Sequence, residues 1–272
     1  MNGIVSVMFG AKLKLAFGIS AAIILVVGTT MVVLRSHLAG DNLPPDAIIK
    51  RAQEKYASLT SYSDEGRTVA TLGGTTIITT FKIRLARPNL YRIDWEQPVP
   101  PDDTQKGAVW SAGEGDFLRI GSGGAKRQTS QELAMASVTG ISSGAAATIP
   151  GTFFKLKWGD QLRGSVLSHK RQPAQKVGDV DCYVFTNDAK GLTRTLWVGK
   201  QDFLIHQVRT ETSAEAMKTA LTEVVKRTPE MSARLQTSEV QGMTSTETHW
   251  NIVVNQQFSN QDFLPQAAED AK

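Results

Sequence analysis

A charge-free run from Leu15 to Leu34 (LAFGISAAIILVVGTTMVVL) most limits what this chain can become. Lys12 and Lys14 precede it, and Arg35 and His37 follow. About 20 apolar residues rising ~1.5 Å each cross a hydrocarbon layer of ~30 Å. In a water-soluble domain the same helix would have to be buried on every side. The run exceeds the apolar region of a secretory signal, roughly 7–15 residues, and no small-residue cleavage pattern ends it. An uncleaved signal-anchor is therefore expected, with a cleaved signal as the alternative. Asp41 stands where a lipid-bearing cysteine would be needed after Leu38-Ala39-Gly40, which excludes lipidation there. Lys12 and Lys14, with no acid before them, favour a cytoplasmic amino terminus. The expected organisation is 1–14 cytoplasmic, 15–34 transmembrane, 35–44 linker, 45–265 a globular domain outside the cytoplasm, and 266–272 a disordered tail.

The body is long enough for one domain with one core. A net charge of +4 suits solubility and weak attraction to anionic headgroups. No basic block interleaved with aromatics is present, so a nucleic-acid partner is not expected. Cys182 is the only cysteine. It rules out an internal disulfide and a thiolate metal cluster, and its place in Val180-Asp181-Cys182-Tyr183-Val184-Phe185 reads as an inert buried strand residue.

Beyond the linker, Pro45 and Asp46 give helix-start chemistry, and Ile48, Ile49, Ala52, Tyr56 and Leu59 recur at helical spacing, predicting a helix over Pro45–Ser58. After Tyr62 the period becomes two. Phe81, Ile83 and Leu85 alternate with Thr80, Lys82 and Arg84. Arg87-Pro88-Asn89 turns the chain, and Tyr91, Ile93 and Trp95 alternate with Arg92, Asp94 and Glu96. This pattern predicts a hairpin of half-buried strands. Weaker strands are expected at Ala108–Ser111 and Phe117–Ile120, a helix at Gln131–Val138, and a small apolar stretch at Ala145–Phe154 broken by Pro150. Strands resume at Gly164–Lys170, Lys176–Asn187, Leu192–Gly199 and Phe203–Thr212, with a last strand carrying Thr248, Trp250, Ile252 and Val254 on one side. Met217, Leu221, Val224 and Val225 share a helical face, Pro229 ends that helix, and Met231–Leu235 starts another. Strands in succession without regular intervening helices predict an α+β fold, a curved antiparallel sheet that curls on itself or takes helices as a cover.

These segments, in order, resemble the LolA and LolB family of periplasmic lipoprotein carriers, the related RseB sensor domain and other periplasmic proteins of that superfamily. The resemblance rests on Tyr56, Leu59 and Ser61-Tyr62, on Phe81–Trp95 with its Arg-Pro turn, and on Trp110–Gly115. It continues through Leu196–Ile205 and Thr248–Phe263, so it covers most of Pro45–Pro265. It implies an incomplete, strongly curved antiparallel barrel closed by helices, here preceded by one transmembrane helix. Its concave interior would be apolar and would receive acyl chains. On that reading Phe81, Ile83, Tyr91, Ile93, Trp95, Leu118, Ile120, Leu196, Val198, Trp250 and Ile252 are candidates to line the interior, and Met217, Leu221 and Val224 form the candidate lid face. The retained anchor and the helical insertion at Ala214–Leu235 depart from the family. A fixed carrier cannot ferry cargo, although it can receive, hold or sense it.

Other motifs read as structural. Gly140-Ile141-Ser142-Ser143-Gly144 matches the G-x-S-x-G elbow, but a helix precedes it where a strand is required, so a flexible loop is expected. Gly121-Ser122-Gly123-Gly124-Ala125-Lys126 fails the phosphate-loop spacing and reads as a turn. His37, His169, His206 and His249 form no local metal-ligand pair, so neither metal nor cofactor is expected. Alternation places His249 towards solvent and His206 on a face with Leu204 and Val208.

The expectation is a non-enzymatic, single-pass protein of a bacterial inner membrane. Its periplasmic domain would hold an acyl chain, lipoprotein or other apolar ligand. The alternative is an RseB-like envelope sensor or scaffold contacting a membrane protein, and a serine hydrolase using Ser142 ranks third. If Leu15–Leu34 anchors the chain, alkaline carbonate washing leaves the full-length protein with the membrane and releases a variant lacking Met1–His37.

Overall fold

A computed structural model describes residues 43–99, 103–141, 144, 148–156, 159–162, 170–227 and 240–265. Leu15–Leu34, Ser142 and Met231–Leu235 lie outside them, and among the described residues no helix is long and apolar enough to cross a membrane.

Helix α1 (Pro45–Ser58) starts with proline and Asp46 in its first turn and buries Ile48, Ile49, Ala52 and Tyr56 along one stripe. The strands that follow are β1 (Ser61–Leu72), β2 (Thr75–Ala86), β3 (Leu90–Val99), β4 (Asp103–Ser111), β5 (Asp116–Ile120) and β6 (Lys126–Gln128). Helices α2 (Gln131–Ile141) and α3 (Thr148–Phe154) come next, and then β7 (Lys170–Val177), β8 (Val180–Ala189), β9 (Leu192–Gly199) and β10 (Ile205–Thr212). Helix α4 (Ala214–Arg227), β11 (Met243–Val254) and a 3-10 turn at Asn260–Phe263 complete the described chain.

All the strands join one 11-stranded sheet in the order β6-β5-β4-β3-β2-β1-β11-β10-β9-β8-β7. Every neighbouring pair is antiparallel. The sheet is curved and open, with β6 and β7 as its edges rather than a closing pair. Pro173 and the charges of Lys170, Arg171 and Lys176 suit β7 to its edge position.

Two expectations about element boundaries are corrected. Lys176–Asn187 is not one strand. Gly178, at φ +57°, turns the chain between β7 and β8, a conformation that glycine reaches without steric cost. Pro150 does not break the apolar stretch before Phe154. It lies in the first turn of α3, where its missing N–H has no helical partner to lose. Of Gly164–Lys170, only Lys170 is described, as the first residue of β7.

The register divides the side chains into two faces. Leu85, Ile83, Phe81 and Thr79 of β2 share the inner face with Tyr91, Ile93 and Trp95 of β3, and with Tyr62, Asp64, Gly66 and Thr68 of β1. Two glycines on this face make room for aromatic rings. A Cβ on Gly66 would stand 2.2 Å from the Phe81 ring, and one on Gly107 would stand 2.0 Å from the Trp95 ring. Each ring therefore lies across the neighbouring strand.

Arg87, from the Arg-Pro turn, ties the helical cover to the sheet. Its guanidinium donates to the carbonyls of Leu59 (2.9 Å), Tyr56 (3.1 Å) and Phe153 (2.9 Å), and it stacks 4.5 Å over the Phe153 ring. Tyr56 and Phe153 lie in the last turns of α1 and α3, where carbonyls lack helical partners and a cation is favoured.

The outer face carries the C-terminal segment. Arg84 donates to Asp262 O at 3.0 Å and Arg92 donates to Leu264 O, while Arg92 also grips Asp94 through Nε and Nη2, each at 2.7 Å. Phe263 is fully buried and packs edge-on against Phe258.

Gly107→Ala forces the Trp95 ring out of its seat. It should cost about 1–3 kcal/mol, the usual range for overpacking, and lower the urea midpoint at unchanged slope.

Candidate functional site

Along β2 the inner face changes character. Leu85, Ile83, Phe81 and Thr79 are buried, but Ile77 on the same face is 40% exposed. The neighbouring strands repeat this. Leu196 and Val198 of β9 are buried while Arg194 is half-buried, and Glu247 and His249 of β11 are buried while Ser245 is half-buried. Helices α1, α2 and α3 cover the buried part with Ile48, Ile49, Ala52, Tyr56, Ala134, Met135, Val138, Ile149 and Phe153. Among the described residues this cover stops towards the β1–β2 turn. Helix α4 begins at that end directly after β10, and its Met217 and Leu221 are half-buried. Arg194 shares the inner face with Thr210 and Asn187, and its Nε meets no acceptor among the described residues.

The sequence candidates fall into three groups. Phe81, Ile83, Tyr91, Ile93, Trp95, Leu118, Leu196 and Val198 are buried on the inner face, with half-buried Ile120 beside them. Trp250 is corrected: it pairs with Glu65 on the outer face and is 38% exposed. Ile252 is half-buried just past an irregularity in which Asn251 and Ile252 stand opposite Asp64 alone. Asn251 takes φ +53° there and donates to Glu65 Oε2 at 3.1 Å. The lid candidates Met217 and Leu221 lie on α4, while the side chain of Val224 is outside the described residues.

The same register puts His249 inside, correcting its expected solvent position. It is 2% exposed, and its ring lies 5.5 Å from that of Phe81. Nδ1 is 2.7 Å from Asp64 Oδ2, which also accepts from the Tyr62 hydroxyl at 2.7 Å. Nε2 lies 3.2 Å from Glu247 Oε1, an ion-pair contact without hydrogen-bond alignment. Thr148, the first residue of α3, donates its hydroxyl to Glu247 Oε2. One imidazole thus links β1, β11 and α3. Burial alone would disfavour its charge, but the Asp64 carboxylate, helped by Glu247, outweighs that and raises its pKa to about 10. Tyr62 is pushed well up by burial and by Asp64.

No local signal announces this cluster, because Asp64 and His249 are 185 residues apart. His206 is buried, with Nε2 2.9 Å from Asp202 Oδ2. Cys182 is buried on β8, and burial raises its thiol to about 12. Ser142 of the G-x-S-x-G run lies outside the described residues, as do His37 and His169.

The outer face has a separate concavity of about 400 Å³ between β4, β5 and the C-terminal segment. Trp110 and Phe117 stack in it at 5.7 Å between centroids, and Leu264 and Pro265 form its far wall.

No family model and no curated protein matches the chain. Several solved structures are similar to it. A DUF1329 family protein from Desulfovibrio piger aligns over 83% of this chain and 98% of its own, at 12% identity and TM-score 0.33. A LolA superfamily protein from Nitrosomonas europaea covers 82% of this chain and 98% of its own, at 10% identity and TM-score 0.32. An outer membrane lipoprotein-sorting protein domain from Vibrio parahaemolyticus covers 81% and 97%, at 11% identity and TM-score 0.33. These proteins are of the kind the sequence resembles.

The raised His249 pKa fixes the sign of a pH effect. Its contribution to stability is complete below about 6.5 and is lost as pH rises through about 10. Urea melts across that window should show stability falling with pH, with a flatter slope in His249→Gln. Near neutral pH the substitution leaves buried carboxylates without their cation and should cost on the order of 3–5 kcal/mol.

Proposed function

We propose that the domain binds an apolar or amphiphilic ligand, such as an acyl chain, at the uncovered end of its inner face, and does so outside the cytoplasm, tethered by Leu15–Leu34. One observation carries the reading: a continuous inner face is sealed at Phe81, 3% exposed, and opens at Ile77, 40% exposed, within a few residues of one strand. Apolar ligands need area more than polar contacts, at about 25 cal/mol per Å² buried. The open end supplies Ile77 and Ala70, the start of α4 supplies Met217 and Leu221, and Arg194 supplies a cation for an acidic headgroup.

Binding is favoured over catalysis because the buried acid–imidazole cluster is sealed. The side chains of His249 and Asp64 are both 0% exposed, beyond the reach of a substrate. The sealed part of the face becomes available to a longer chain only when α1, α2 or α3 lifts. The sheet itself need not break, since its ladder bonds run between strands. A second reading, contact with a membrane protein partner, draws on the open Trp110–Phe117 groove of the outer face.

The test uses the full chain in nanodiscs, with native mass spectrometry for co-purified lipid and a fluorescent fatty acid as the probe. Met217→Glu and Leu221→Glu should each weaken the probe on the order of tenfold at unchanged Tm, since no described α4 side chain is fully buried. Arg194→Met should weaken the fatty acid more than its methyl ester. Empty preparations, with no probe binding and no thermal shift, would end the ligand reading. A dominant cross-link to one membrane protein would favour the second.

A further inference from the structure

The C-terminal segment follows a row of side chains across the outer face, and the row continues past Pro265. Arg84, Arg92, Trp110, Phe117 and Arg127 are successive register partners on β2, β3, β4, β5 and β6, so they stand in one line on that face. Arg84 holds Asp262 O at 3.0 Å, and Arg92 holds Leu264 O. The segment therefore crosses the strands and advances two residues for the one strand step from β2 to β3. Leu264 is extended, at φ −79° and ψ 149°, the geometry favoured before a proline.

Ahead of that path lie two rings and then a cation. Trp110 and Phe117 stack with 18° between their planes, and Pro265 already stands against them in the groove. Beyond the rings, Arg127 lies against Gly115, where an added Cβ would stand 3.1 Å from its Nε. Glu114, in the β4–β5 turn, also lines the groove and disfavours an occupant that is acidic throughout. The chain after Pro265 reads Gln266-Ala267-Ala268-Glu269-Asp270. At the stride of two residues per strand, Gln266 comes to Trp110, Ala268 to Phe117 and Asp270 to Arg127. Small side chains let a backbone lie close on a ring, and the acids arrive only where the row becomes basic.

We propose that Gln266–Asp270 fill the Trp110–Phe117 groove as a strap, with Glu269 or Asp270 paired to Arg127. Continuity selects this occupant. The segment is already held in the row by two arginines, so seating its next few residues closes no long loop and costs little entropy. Charge order selects it as well, because two alanines cover the rings before the acids reach the cation. Any protein that uses this groove must first displace the strap, which makes the tail a built-in competitor for the second reading above. The proposal does not rest on the ligand reading, whose site is on the opposite face of the sheet.

The test uses the full chain in nanodiscs. Ala125→Cys places a thiol at the groove wall and Ala268→Cys places one on the strap. Under mild oxidation this pair should close an intramolecular disulfide at least tenfold faster than Lys106→Cys with Ala268→Cys. Lys106 is exposed on the same face of β4, four residues from Trp110 and off the row. Native Cys182 is 0% exposed and stays silent. Adding Arg127→Glu to the first pair should slow closure about threefold, the scale of an exposed ion pair. Adding Glu269→Lys and Asp270→Lys as well should restore the rate. Ala125, Lys106 and Arg127 are exposed, so far-UV circular dichroism should be unchanged. Equal closure of the two cysteine pairs, a charge reversal without effect, or cross-linking of Ala125→Cys to a second copy or to another protein instead would overturn the proposal.

Discussion

Strand β1 lies beside β11, and the rest of the sheet depends on that pairing. Other neighbours in the sheet are also neighbours in sequence, so each half is a meander that grows outward from a central strand. The β1–β11 ladder, from Tyr62↔Val254 to Leu72↔Met243, joins the two meanders. Closing so long a loop costs entropy before any contact repays it, and non-local pairings of this kind form slowly. The ion pair between Asp64 and His249 stands on this seam, and Glu247 extends it to α3 through Thr148. Buried charge is a poor source of net stability but penalises alternatives heavily. A slip of one residue between β1 and β11 would turn His249 outward and leave the carboxylates in the core. The cluster thus makes one register much better than its neighbours.

Much of the fold could be read from the sequence where the pattern was local. Phe81, Ile83 and Leu85 alternate with polar residues, Arg87-Pro88 marks the turn, and Tyr91, Ile93 and Trp95 resume the alternation, so β2 and β3 were legible with their inner faces. Strand β11 was not. Its apolar residues Trp250 and Ile252 suggested the inner face, yet the buried residues before them are Glu247 and His249. Hydrophobic alternation identifies a face only when polar residues stay out of the core, and here their partners come from β1 and α3. The irregularity at Asn251 then shifts the parity, which no period-two pattern anticipates. The β7–β8 boundary failed for a smaller reason: Gly178-Asp179 is a brief turn signal inside a run that otherwise reads as strand.

The candidate site follows the same division. The apolar lining residues were visible because they belong to legible strands, but their covering was not. Helices α1 and α3 seal them through Arg87, whose three carbonyl partners come from the end of α1 and from α3. Arg194 carried no signal either, since one arginine in the run Leu192–Val198 looks like any solvent-facing charge. Its half-buried position depends on Thr210 and Asn187 flanking it on adjacent strands.

The two-meander construction has a further consequence. Strands β1–β6 with α1–α3 form one continuous stretch of chain, and β7–β11 with α4 form another, joined through the connection between α3 and β7. Severing the backbone in that connection leaves each fragment with its own local ladders, and the two meet along the β1–β11 seam, at Thr148–Glu247 and where Arg84 and Arg92 hold the C-terminal segment. Such halves are natural partners for reassembly in trans, and the yield of the reconstituted whole would report on the combined strength of that strand junction and the contacts flanking it.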